Sequence, residues 1–336
     1  MKRTKLYKTY NIIIRSVIII TSFTFLYFQL FVKQDFNNLL NDISNILNTS
    51  NNWWLIILSL ALMPINWSLE ALKWKLLLKN KEEISFGLSL KAIFSGASIS
   101  AVSPNRTGDY FGRIFVLKGT KFWEGVFITI IGSYAQTITT LLFGGMAVFA
   151  FLTPALVSNE NLDSSRLLIF QYTYVILLSI FILLYFRISL ISKMIPPKWK
   201  RIHKYVNIFI NYKFNQLFTA LSISILRYIV FSFQFYLLLI AVGINSFSPF
   251  EALLFTSSVF LINTIRPSIA LLEIGIRGSV AIFVLNLFLS ETEINLYLEN
   301  AVLLASSLLW LINIILPAII GLFFIKDLRF FKSNNQ

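Results

Sequence analysis

Residues 91–121 read KAIFSGASISAVSPNRTGDYFGRIFVLKGTK, and this stretch determines the predicted fold. Its apolar part, residues 93–102, is too short to cross a bilayer, which needs about 20 helical residues. A proline and three ionisable residues follow it: Pro104, Arg106, Asp109 and Arg113. Irregular backbone at membrane depth is tolerated only where protein or water surrounds it. The stretch therefore predicts a re-entrant helical hairpin with charges at its tip.

A similar pattern returns in residues 251–279, EALLFTSSVFLINTIRPSIALLEIGIRGS. A short apolar run again ends at a proline, in the pair Arg266-Pro267. Glu273 then precedes Arg277 by four residues, the spacing of Asp109 and Arg113, and the acids of the two copies lie 164 residues apart. An acid and an arginine at this spacing share one helix face. Because a lone charge is costly in low dielectric, we expect each pair to neutralise itself.

Acid-to-arginine spacing of this kind is also common on ordinary surface helices. The matching proline and the matching short apolar run favour an internal repeat here. Corresponding interrupted segments in two halves are typical of the binding site of a repeat-built transporter.

The composition predicts an all-α polytopic membrane protein. Of 336 residues, 57% are hydrophobic and 13% are charged, against about 25% charged in a typical globular domain. The absence of cysteine excludes disulfides, iron–sulfur clusters and thiol nucleophiles, and His203 is the single histidine. We therefore expect no metal site, no cofactor and no catalytic residue, and hence no enzyme.

The net charge of +14 raises the question of nucleic acid. The basic residues, however, cluster beside apolar runs, as the positive-inside rule describes, so no nucleic-acid partner is expected. A cell-membrane protein with both termini in the cytoplasm places most of these residues inside. The segment 187–213 carries seven basic residues and no acid. It is either an amphipathic segment on the inner leaflet or a solvated loop.

The chain is expected to be one integral membrane domain, 1–336, with about six full spans and two re-entrant hairpins. One half covers about 53–152 with the hairpin 91–121, and the other about 217–324 with the hairpin 251–289. Three spans separate the hairpins, and this odd number gives them opposite orientations, so the halves form an inverted repeat. The predicted spans are 16–32, 53–72, one within 122–152, 167–186, 217–242 and 301–324.

Arg227 is the most unusual residue, because it lies about ten residues into the fifth span. A charge there costs about 2.5–3.5 kcal/mol on insertion scales. Either it forms an internal ion pair, with Glu273 or Asp109, or it binds an anionic head group, since guanidinium matches phosphate in bidentate geometry. Glu70 is expected only to balance nearby lysines.

The residues SPNRTGDYFGR resemble the lysylphosphatidylglycerol synthase transmembrane-region family, flippase-like membrane domains found alone or fused to an aminoacyl-transferase domain. That family carries a Pro-x-Arg-x-Gly-Glu element followed by Arg. Five residues match it, with Asp in place of the usual Glu: Pro104, Arg106, Gly108, Asp109 and Arg113. Its second element is similar to Pro267, Glu273, Gly275 and Arg277, although the glycine pair often found there is missing and Gly278 stands where an acid is common.

The resemblance implies a stand-alone member that binds or moves a lipid. The leading hypothesis is a flippase-like transporter of an anionic or zwitterionic phospholipid. Its head group is expected to meet seven residues: Arg106, Asp109, Arg113, Arg227, Arg266, Glu273 and Arg277. One alternative is an intramembrane transferase acting on a lipid phosphate, with Asp109 or Glu273 as base. The other is a non-transporting scaffold that binds a protein partner through 187–213.

Overall fold

The computed structural model describes residues 52–101, 103, 106–117, 119–152, 164–190, 207–265, 273–289 and 296–325, with four isolated positions between 13 and 24. Of residues 151–152, 164–166, 265, 273–276 and 296 it describes the backbone alone. Every regular element in this part of the chain is helical, as the composition predicts. The first predicted span, 16–32, lies outside the described residues apart from isolated positions.

The other five predicted spans are confirmed as helices long and apolar enough to cross a membrane. The chain is therefore a multi-pass membrane protein. In chain order the helices are α1 (Trp53–Leu78), α2 (Phe86–Ala101), α3 (Gly108–Ile114), α4 (Phe122–Ala147), α5 (Ser164–Phe186), α6 (Phe214–Ala241), α7 (Pro249–Ile265), α8 (Glu273–Phe288), α9 (Leu296–Trp310) and α10 (Leu316–Ile325). Short π-helices, Val148–Leu152 and Leu311–Ile315, follow α4 and join α9 to α10.

The centre of the fold is the antiparallel pair α1 and α6. Gln234 Nε2 donates to the carbonyl of Ser59 at 2.8 Å, while Arg227 reaches Glu70 further along α1, so residue numbers rise on one helix as they fall on the other. The two helices come from the two predicted halves. An inverted repeat places equivalent helices antiparallel, and this pair has that arrangement.

The first predicted hairpin is a pair of tightly packed helices, α2 and α3. A Cβ added to Gly112 would lie 2.6 Å from the Cα of Gly96, so glycine is needed at the crossing. The chain just before α2 and the chain just after α3 also lie together. Glu82 Oε2 accepts hydrogen bonds from the backbone N–H groups of Gly119 at 2.9 Å and Thr120 at 2.7 Å. The chain therefore leaves and returns at one place in the fold, as a re-entrant segment must.

The second predicted hairpin consists of α7 and α8. The α7 helix starts with a capping box, in which Ser248 N donates to Glu251 Oε2 at 2.8 Å and Glu251 N donates to Ser248 Oγ at 3.3 Å. The hydrogen bond that Ser248 N donates to the carboxylate lowers the pKa of Glu251. This segment is also closed at its base, since a Cβ added to Gly243 would lie 2.9 Å from the hydroxyl of Tyr297.

Each hairpin packs against a span of the other half. The α2 helix lies on α10, where Ser98 Oγ donates to the carbonyl of Ala318 and Phe94 lies against Gly321. Reciprocally, α7 lies on α4, where a Cβ added to Gly144 would be 2.8 Å from the Cβ of Leu261. This exchange is what an inverted repeat predicts. The repeat and the re-entry of both hairpins from opposite leaflets stay predictions.

Of the basic segment 187–213, the structure describes 187–190 and 207–213. Residues Asn207–Asn211 form a 3₁₀-helix, after which the Tyr212 hydroxyl donates to the carbonyl of Leu77 at 2.7 Å. Burial raises the pKa of Tyr212. Asn80 and Gln216 exchange side-chain hydrogen bonds beside it. This end of the segment is thus attached to the end of α1.

Candidate functional site

A buried cluster of charges joins α1, α3 and α6. Glu70 Oε1 accepts from Arg113 Nη1 at 2.8 Å, and Glu70 Oε2 accepts from Lys73 Nζ at 2.8 Å and Arg227 Nη1 at 2.9 Å. Glu70 and Lys73 are 5% and 1% exposed. With Asp109, these residues form what we call the Glu70 cluster: Glu70, Lys73, Asp109, Arg113 and Arg227.

The predicted pair of Asp109 and Arg113 is confirmed. Arg113 donates through Nε to Asp109 Oδ1 at 2.8 Å and through Nη2 to Oδ2, a bidentate pair on one face of α3. Arg227 does form an internal ion pair, and its partner is Glu70, which was not among the expected ones. The helix pair explains the difference, because α1 and α6 lie side by side and bring Glu70 opposite Arg227.

Amide side chains complete the coordination of Arg227. Its Nε donates to Asn66 Oδ1 at 2.9 Å and its Nη1 also donates to Gln136 Oε1 at 3.3 Å. Asn66 donates in turn to Asn313 Oδ1 at 3.0 Å, in the π-helix of the last span. Such π-helical turns are frequent at functional sites. The guanidinium lies over the ring of Trp67, with its Cζ 5.8 Å from the ring centroid.

Arg106 occupies the tip of the first hairpin in a strained conformation. Its φ of 55° is the one positive value for a residue other than glycine in the described part of the chain. An L residue costs roughly 1–2 kcal/mol there. The turn is held by Ser103, whose hydroxyl accepts from Gly108 N at 2.7 Å and whose carbonyl accepts from Arg106 N at 3.2 Å. Strain of this kind concentrates at functional sites.

Two adjoining cavities lie beside these groups. The larger, about 270 Å³, is lined by α6 and the second hairpin, and the smaller, about 200 Å³, faces the first hairpin. Four residues are shared by the linings of both cavities: Trp67, Arg106, Arg227 and Ile314. Arg277 and Asn263 line the larger cavity, and Asp109 and Arg113 the smaller one. The structure thus brings both hairpins to one polar site inside the helical domain.

Five of the seven predicted binding residues can be compared with this site. Arg106, Asp109, Arg113, Arg227 and Arg277 all line the cavities. Arg266 lies outside the described residues, and so do Pro104 and Pro267. Glu273 and Gly275 belong to α8, but their side chains are not described. Gly108 is in close contact with Ile99, where an added Cβ would lie 2.5 Å from the carbonyl oxygen.

Several residues of the site were missed or given a lesser role by sequence reasoning. Glu70 bonds to two arginines as well as to a lysine, and Asn66 and Trp67 flank Arg227. Asn66, Trp67, Glu70 and Lys73 share one side of α1 at helical spacing. The available signal was an acid three residues before a lysine within what the structure shows to be a 26-residue, largely apolar helix.

Comparison with the curated proteins and with the solved structures finds no match. The model of one family, described as the lysylphosphatidylglycerol synthase TM region, matches residues 12–321. That range contains α1 to α9, both hairpins and every residue of the two cavities. The chain belongs to the lysylphosphatidylglycerol synthase transmembrane-region family.

Proposed function

We propose that the protein is a flippase-like transporter that moves an anionic or zwitterionic phospholipid between the leaflets of the cell membrane. Family membership gives the chain a lipid-related membrane role. The observation that carries the finer proposal is the pair of adjoining cavities, lined by Arg106 of one hairpin, Arg277 of the other and Arg227 of α6.

The size of the cavities supports a head group as ligand. Ligand pockets typically span about 300–1,000 Å³. At about 270 and 200 Å³ the two spaces suit a polar head group and leave no room for acyl chains. Acyl chains would therefore extend from the site into the bilayer, as in a protein that carries only the polar end of a lipid across the membrane.

The position of Arg227 and Arg106 on both cavities supports movement between two subsites. A head group held by these shared guanidinium groups reaches either the side of α3 or the side of α8 without losing its ionic contacts. In repeat-built transporters the substrate site lies at the interface of the repeats, and one repeat moves against the other around it. Here the first hairpin lines most of the smaller cavity, and the second hairpin contributes Phe260, Asn263, Thr264 and Arg277 to the larger one.

The transferase alternative is less well supported by the described geometry. A general base needs a carboxylate able to accept a proton from the substrate. Both oxygens of Asp109 already accept hydrogen bonds from Arg113, so a substrate hydroxyl would have to compete with that guanidinium for them. The scaffold alternative has no specific observation in its favour, because the described end of 187–213 is attached to α1.

A scrambling assay in proteoliposomes tests the proposal. Fluorescent phospholipids with different head groups are incorporated, and quenching from outside reports the fraction that reaches the outer leaflet. Head-group-dependent movement above that of protein-free vesicles is expected for the intact protein, with loss in Arg227→Gln. Equal signals from intact protein, variant and empty vesicles across many lipids would contradict it.

A further inference from the structure

We propose that the site recognises an uncharged hydroxyl of the lipid head group, in a small recess beside Trp310 that adjoins the larger cavity. The substrates are then phospholipids whose head-group alcohol carries hydroxyl groups beyond the phosphate, such as glycerol or a sugar. This inference rests on the proposed function and narrows its substrate class. The observations that carry it concern hydrogen-bonding groups and the size of the recess.

A third cavity lies next to the larger one, beside the last span. The two have five lining residues in common: Phe231, Phe260, Asn263, Arg277 and Ile314. Trp310 and Ser306 of α9 line the small one, which we call the Trp310 recess. Its volume is about 20 Å³. Since a space of about 10–15 Å³ is enough for one water-sized group, the recess accepts a hydroxyl and leaves no room for a trimethylammonium group.

Trp310 brings a buried hydrogen-bond donor to this recess. The residue is 4% exposed, and its Nε1 has no hydrogen-bond partner within the described residues. An indole N–H is only a donor, so an oxygen can satisfy it and an ammonium group cannot. Because a buried donor without an acceptor is costly, the recess favours an occupant that presents an acceptor oxygen.

Asn263 brings an amide to the same recess. Its Nδ2 donates to the carbonyl of Val259 at 2.8 Å, one turn earlier in α7, and this bond orients the amide so that Oδ1 remains to accept from a ligand. A hydroxyl accepts and donates, whereas an ester oxygen only accepts and an ammonium only donates. The donor of Trp310 and the acceptor of Asn263 therefore match a hydroxyl better than either of the other groups.

A second buried indole lies where the phosphate is expected. Trp67 Nε1 also has no hydrogen-bond partner in the described part of the chain, and its ring lines both main cavities. Arg227 lines the same two cavities, with its Cζ 5.8 Å from the centroid of that ring. Because guanidinium matches phosphate in bidentate geometry, a phosphate suits the space beside these two side chains. The head-group alcohol then extends from there toward the Trp310 recess.

The test compares two lipids that differ only in hydroxyl groups. Phosphatidylglycerol and phosphatidylpropanol with the same acyl chains carry the same charge on the same phosphodiester, and only the former has free hydroxyls. The purified full-length protein in detergent receives an equimolar mixture, and native mass spectrometry measures the lipid retained. We expect phosphatidylglycerol to be retained roughly five- to tenfold over phosphatidylpropanol, the effect of about one hydrogen bond. Equal retention, or preference for phosphatidylpropanol, would overturn the inference.

Two variants assign this preference to the recess. Trp310→Phe keeps a ring but removes the donor, so most of the preference should disappear while binding of phosphatidylpropanol is kept. Asn263→Leu removes the amide of the same recess from another helix and should act in the same direction. The ratio of two lipids bound in one sample does not depend on how much of a variant is folded. A preference that stays intact in both variants would contradict the assignment.

Two other tryptophans provide the controls. Trp67→Phe should weaken binding of both lipids alike and keep their ratio, because its expected partner is the phosphate that they share. Trp54→Phe is the matched control, since Trp54 is 52% exposed and lies outside the cavities, and it should change neither binding nor ratio. A preference lost in Trp54→Phe as much as in Trp310→Phe would also contradict the assignment.

Further measurements separate this inference from the proposed function. Selective binding of phosphatidylglycerol without movement in proteoliposomes would keep this inference and contradict transport. Movement of both lipids at equal rates, with equal retention, would keep transport and contradict this inference. Binding of free sn-glycerol 3-phosphate with no binding of either lipid would overturn the assignment of the recess to a lipid head group.

Discussion

Arg227 Nη1 donates to Glu70 Oε2 at 2.9 Å although 157 residues of sequence separate the two. The contact joins a helix of the first predicted half to an antiparallel helix of the second. Because Glu70 also binds Arg113, it links α6 to the tip of the first hairpin. One buried carboxylate thus orients two of the arginines that line the cavities.

Removal of the Glu70 carboxylate should destabilise the protein strongly. The variant Glu70→Gln removes the counter-charge that three cations share in a buried site. These cations are Lys73, Arg113 and Arg227. Breaking a buried ion pair by removing one partner costs about 3–5 kcal/mol. We expect a large decrease of the apparent Tm in detergent. Glu124→Gln is the matched control, because Glu124 binds Lys81 at 3.4 Å with both side chains partly exposed, a type of contact worth about 0–1 kcal/mol. Similar Tm values for the two variants would contradict this account.

Closure of the first hairpin should depend on Glu82. In Glu82→Ala the N–H groups of Gly119 and Thr120 lose their acceptor, as does the Thr120 hydroxyl. Unsatisfied donors cost about 1–3 kcal/mol. We expect faster proteolysis within residues 83–120 and a lower Tm. The adjacent, exposed Glu83 provides the control Glu83→Ala, which should behave like the natural sequence.

Packing of α2 on α10 should tolerate no side chain at Gly321. An added Cβ would overlap the carbonyl oxygen of Phe94 and the hydroxyl of Ser98. Overpacking typically costs about 1–3 kcal/mol, so Gly321→Ala is expected to lower the Tm. Gly87→Ala is the control on α2 itself, because nothing lies within 4 Å of an added Cβ there. An unchanged Tm in Gly321→Ala would show that the two helices do not approach as described.

Arg106 should matter for activity more than for stability. Arg106→Gly removes a cavity guanidinium but relieves a left-handed conformation at φ 55°. We expect stability to stay within about 1 kcal/mol of the natural protein, since glycine adopts this conformation freely. Lipid movement in proteoliposomes should be lost. Retention of movement together with a strong loss of stability would reverse this assignment and make Arg106 a structural residue.

The sequence predicted much of the fold because hydropathy and proline breaks are local properties. The five spans from 53 onward, the interrupted segments and the pair of Asp109 and Arg113 were all readable in this way. The partner of Arg227 could not be predicted from such local properties. Glu70 lies three residues before Lys73, so their proximity in sequence favoured a local pair, whereas only the packing of α3 and α6 against α1 reveals the contacts of Glu70 with Arg113 and Arg227. Polar roles that depend on which helix faces which cannot be deduced from periodicity alone.

The measurement that tests the central claim most directly is the labelling of single cysteines from each side of the membrane, in a sequence that has no cysteine of its own. Two exposed positions flank each hairpin: Ser85 and Gly119 for the first, Phe250 and Tyr297 for the second. If the hairpins enter from opposite leaflets, cysteines at Ser85 and Gly119 react only with reagent on the cytoplasmic side, and those at Phe250 and Tyr297 only with reagent outside. Labelling of Ser85 and Gly119, or of Phe250 and Tyr297, from opposite sides would show a complete span and contradict the account.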